Sequence, residues 1–104
     1  MPSNLLEPYR HQAYIPARRA LDALAKLHAD WLGNEPARLD AARIKAILPS
    51  LEIYVATLRR ADGDHFAAYP LIVQIIAELR HIDCGALDSI IGDLEHSRTE
   101  IDNA

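Results

Sequence analysis

Two carboxylate–imidazole pairs stand at helical spacing in this chain, Glu78-x-x-His81 and Asp93-x-x-His96. Residues three apart on a helix share a face. Glu-x-x-His is also the spacing with which carboxylate-bridged di-iron bundles hold their metals. A shared centre needs both pairs at one level. If the segments that carry them form an antiparallel hairpin about residue 84, the first pair lies ~4–5 residues from the turn and the second ~10–11. At 1.5 Å per residue the offset is ~9 Å, too far for one metal to bridge. Both pairs also fall on polar strips, without the further carboxylates that an iron site requires. No metal ligand and no cofactor is assigned.

Cys84 is the only cysteine, so no intrachain disulfide can form. It sits at the expected start of the last helix, beside Asp83 and close to His81. A helix N-terminus and an imidazolium lower a thiol pKa and favour a nucleophile, whereas Asp83 opposes that shift. A small helical enzyme or metal-binding bundle using Glu78, His81 and Cys84 is therefore the alternative functional reading. His28 lies between Leu24 and Trp31. A phosphotransfer histidine needs exposure and small neighbours, and Trp31 and Leu32 are bulky. His28 reads instead as a half-buried side chain with one hydrogen-bond partner. Arg18 can pair with Asp22 four residues on, and Arg59-Arg60 suits the carbonyl end of a helix. Phosphate loops, dinucleotide fingerprints and nucleophile elbows are missing from the sequence.

These side chains must be positioned by 104 residues, half of them apolar, with a net charge of −4. That length suits a single domain, residues 1–104, with 1–7 and 101–104 as loose ends. The acidic balance disfavours nucleic acid, whose phosphates call for an excess of Lys and Arg. The apolar runs fall far short of the ~20 residues of a membrane span. The first residues lack the basic-then-apolar order of a signal peptide. The expected setting is cytoplasmic, with neither nucleic acid nor membrane as partner.

Proline marks the starts of the elements. Pro16, Pro36, Pro49 and Pro70 each sit at or near the start of an apolar-periodic segment, where a missing N–H costs little. The first helix should run from about Pro16 to Leu32, with Tyr14, Ala17, Leu21, Leu24, His28 and Trp31 on one seam. Residues 8–15 can add a turn before it. The second carries Ile44, Leu48, Leu51, Val55 and Leu58, and its phase survives Pro49. A kink there fits better than a break, which would make five helices of four. The third follows Pro70, and the fourth repeats Leu87, Ile91, Leu94 and Ile101. Asn34, Asp64 and Asp83 are candidate caps. Strand-like alternation is absent. The fold class is all-α, a small bundle of four to five helices with Pro49 kinking or breaking the second.

The third segment has more apolar surface than one stripe. Leu71, Ile72, Val73, Ile75, Ile76, Leu79 and Ile82 cover an arc of roughly 200°, against ~100° for a surface helix. Gln74, Glu78 and His81 form its polar strip. Such an arc needs cover on two sides, from its own chain or from a partner. On the second helix Ala46, Ser50, Ile53 and Thr57 line up opposite the core seam, which would let another helix approach closely. Together these features predict a non-enzymatic regulatory protein that masks or inhibits another protein through an apolar helix face. Homodimerisation is expected too. The expected interface is Ile53, Ala46, Ser50, Thr57, Leu71, Val73 and Ile75.

Overall fold

The computed structural model describes residues 12–32, 38–60, 65–82 and 84–103. Among them are four α-helices and no strand: α1 (Tyr14–Leu32), α2 (Arg38–Leu58), α3 (Tyr69–Arg80) and α4 (Asp88–Asp102). A 3-10 turn, Gly85–Leu87, leads into α4. Residues 8–11 and the candidate caps Asn34, Asp64 and Asp83 lie outside the described residues.

α2 continues unbroken through Pro49. The five-helix alternative is thereby corrected, because a break at Pro49 was its only source. The Pro49 ring is exposed, so the carbonyl it leaves unpartnered lies where water can reach it. α3 starts with Pro70 in its first turn, where no intrahelical N–H is needed. Arg80 occupies its last turn, where a cation suits the dipole.

α1 packs against α2 and α4, and α3 closes the ring against the same two helices. Neighbours run antiparallel. The Arg59 guanidinium, just past the end of α2, lies over the Tyr14 ring at the start of α1, 5.7 Å from its centroid. Tyr69 at the start of α3 meets Arg98 near the end of α4. Since each helix touches two neighbours, each buries a wider stripe than one seam. Ile47 and Tyr54 join Ile44, Leu51, Val55 and Leu58 in the core, while Leu48 is only partly buried. On α4 the buried row is Ile90, Leu94, Ser97 and Ile101, with Ile91 at its margin. Ile101, placed in a loose end by the sequence, is 1% exposed and closes the core.

The apolar arc of α3 is covered mostly by its own chain. Ile72, Ile75, Ile76, Leu79 and Ile82 are all buried. What remains outside is Val73, 41% exposed, and the partly buried Leu71.

Candidate functional site

The three residues of the enzyme alternative do not share one groove. Glu78 and His81 line a groove between α2 and α3, together with Arg43, Ala46 and Ile47. Cys84 lines a different one, with Arg80 and Asp88. The Glu78 carboxylate accepts a hydrogen bond from Gln74 Nε2 at 3.1 Å. The second carboxylate–imidazole pair is split between other partners. Asp93 faces Arg19 at 3.7 Å, and His96 Nε2 lies 3.9 Å from Glu100. Among the described residues no group of three His, Cys, Asp or Glu side chains could hold a metal ion. His28 is half-buried, as its seam position implies. Its Nε2 has no hydrogen-bond partner among the described residues, unlike the partnered histidine expected. Arg18 does pair with Asp22, at 3.2 Å on an exposed helix surface.

The outward face of α2 presents a more coherent surface. Ala42, Ala46, Pro49, Ile53 and Ala56 are exposed along it, flanked by exposed Lys45 and Glu52. At 100° per residue, all seven lie within about 60° of the direction of Pro49. Ile53 is 61% exposed, a large aliphatic side chain among alanines. Ser50 and Thr57 are half-buried at the edge of this face, and the Thr57 hydroxyl donates to the Ile53 carbonyl at 2.9 Å. Lys45 and Glu52 form no ion pair with a described residue. The Ala46 end of the face opens onto the groove that holds Glu78 and His81. Of the α3 residues expected at an interface, Val73 is exposed, Leu71 is partly so, and Ile75 at 2% belongs to the core.

Val73 lines a third groove, between α3 and α4, with Ile76 and Ala77. A chain of charged and polar side chains runs beside it. Arg98 donates through Nη1 to the Tyr69 hydroxyl at 3.2 Å and through Nε to Glu95 at 2.9 Å. Arg80 donates to the other oxygen of the Glu95 carboxylate. The hydrogen bond to Tyr69, then that to Glu95, raise the Arg98 pKa further above its ordinary value.

Sequence reasoning misses a second polar chain, which lies inside the bundle. Ser97 is fully buried and donates its hydroxyl proton to the Ala13 carbonyl at 2.9 Å. A serine has one such proton, so at 2.6 Å the Tyr54 hydroxyl is the donor and Ser97 Oγ the acceptor. The link crosses the bundle from α2 to α4 and reaches the residue that precedes α1. Burial pushes the Tyr54 phenol up to about 12. A signal was available, since Ser97 falls on the same helical stripe as Ile90, Leu94 and Ile101.

Compared with known protein families, curated proteins and solved structures, the chain matches none of them.

Proposed function

We propose that this chain is a non-enzymatic regulatory protein that binds another protein and masks or inhibits it through the apolar face of α2 around Ile53. The observation that carries this reading is Ile53 itself, 61% exposed among small residues on a helix whose other side is fully engaged in the core. A single exposed isoleucine is common on protein surfaces; here it sits in a continuous outward face of alanines and a proline. The described helices are too short or too polar to cross a membrane. The reading keeps the cytoplasmic setting expected from the sequence, with a protein rather than a membrane or nucleic acid as partner. The kink at Pro49 is part of the same reading. With no N–H at Pro49 the Lys45 carbonyl loses its helical partner, and a kink would set the angle between the Ala46 and Ile53 halves of the face.

The test is capture of partners from a native lysate by wild type and by Ile53→Glu, Cys84→Ser and His81→Ala. A carboxylate at the centre of an apolar contact must be desolvated without a partner, which costs several kcal/mol. Ile53→Glu should lose the captured partner and keep its helicity by circular dichroism. Cys84→Ser and His81→Ala should keep both partner and biological activity. Loss of activity in either, with fold and partner binding intact, would move the function to the Glu78, His81 and Cys84 alternative.

A further inference from the structure

The outward face of α2 is complementary to itself. Lys45 lies ~6 Å before Pro49 along the helix axis and ~40° to one side, and Glu52 lies ~4.5 Å after it, ~60° to that same side. Ala46 and Ile53 repeat the arrangement on the other side, ~60° and ~40° out, small before Pro49 and large after it. A second α2 laid antiparallel across the first, about a two-fold axis beside Pro49, reverses the order along the axis and keeps each side opposite its equivalent. Residues whose numbers sum to about 98 then meet, by the symmetry of a two-fold contact. Lys45 meets Glu52 of the second copy, and Ile53 meets its Ala46. Each contact occurs twice. Ala42 and Ala56 meet nearer the centre line, where small side chains let the backbones approach.

We propose that the outward face of α2 binds the same face of a second copy of this chain, antiparallel about Pro49, with Ile53 seated on Ala46 and Lys45 paired with Glu52 across the two-fold. This rests on the reading of the Ile53 face as an interaction surface, for which a second copy and the masked protein would compete. Two independent properties, charge and side-chain size, obey the same two-fold relation on one helix. A different partner would impose no such relation. Lys45 and Glu52 are also without ion-pair partners among the described residues, so both are available to a second copy.

Sedimentation over a concentration series into the high micromolar range tests this with wild type, Lys45→Glu, Glu52→Lys and an equimolar mixture of the two variants. Wild type should be a dimer in reversible exchange with monomer. Each variant alone turns two attractive pairs into two repulsive ones and should weaken association about tenfold or more. The mixture should recover it, because a heterodimer of the two variants restores both opposite-charge pairs. Ile53→Glu should be monomeric; if it does not fold, the mixed charge variants still decide. A wild type monomeric throughout, single variants that dimerise like wild type, or a mixture that fails to recover would each overturn the proposal. If wild type stays monomeric while Ile53→Glu still loses a captured protein, the masking reading stands and the self-association falls. If the dimer is lost in Ile53→Glu while the captured protein is kept, the opposite holds.

Discussion

Two tyrosine hydroxyls, each joined to α4, lie in opposite surroundings. Tyr54 is fully buried and donates to Ser97, which in turn donates to the Ala13 carbonyl. Tyr69 is half-buried and accepts from Arg98, which shares Glu95 with the exposed Arg80. The first chain is short, neutral and sealed from water. The second is longer, charged and open to solvent. A buried polar group that loses its partner cannot turn to water, whereas exposed ions are already hydrated and screened. The neutral chain should therefore matter more to stability, although the charged one contains more contacts. It also fixes the relative height of three segments, since a slide of one turn along any of them would leave a polar atom orphaned in the core.

Truncation of the apolar core sets the upper end of that comparison. Ile76→Ala or Leu79→Ala should cost ~2–5 kcal/mol by urea denaturation, because both side chains are buried. Glu78→Gln, on the neighbouring polar strip, should cost little; a reversed ranking would mean that the buried face of α3 is misassigned.

The neutral chain comes next. Ser97→Ala strands the buried Tyr54 hydroxyl and leaves the Ala13 carbonyl only its bond from the Ala17 N–H, and should cost ~1–3 kcal/mol. Tyr54→Phe leaves the Ser97–Ala13 bond standing and should cost less, ~0.5–1.5 kcal/mol. Equal costs would put the Ser97 proton on the wrong acceptor. The Tyr54 variant also isolates a pH effect. The phenol ionises near 10.0 in an unfolded chain and at about 12 in the fold, so above pH 10 the folded protein holds a proton that the unfolded chain releases. The stability from this group is whole below pH 10 and is lost as pH rises towards 12. Wild type should lose stability more steeply than Tyr54→Phe over that window.

The smallest effect belongs to the charged chain. Glu95→Gln should change stability by ~0–1 kcal/mol, and less in high salt. A cost equal to that of Ser97→Ala would show that the α3–α4 seam is held by charge as firmly as the core is held by its neutral link.

The helices were legible in the sequence because Pro70, the seam from Tyr14 to Leu24 and the unbroken phase across Pro49 are local signals. Their rotation was less so. A single seam at spacings of three and four favours Leu48 and Ile91, whereas contact with two neighbours turns Ile47, Tyr54 and Ile90 inward. The exposure of Ile53 was readable for the same local reason, since the opposite side of its helix carries the core seam. The link from Tyr54 through Ser97 to Ala13 was not. Its partners lie 43 and 84 residues apart, and a serine in an apolar row reads as an interruption until its acceptor is known.

That separation of 84 residues has a consequence for how the molecule is made. Chains are synthesised at roughly 5–20 residues per second, so α1 waits roughly 4–17 s before Ser97 exists to donate to the Ala13 carbonyl. During that interval Ala17, Leu21 and Leu24 can rest only on α2, and the side of α1 that later meets α4 remains uncovered. A hairpin of α1 and α2 is thus the natural nascent form, bearing a sticky flank that a chaperone could shield. Newly translated chains should be most prone to clump just before α4 leaves the ribosome, and its arrival should end that risk in a single docking step.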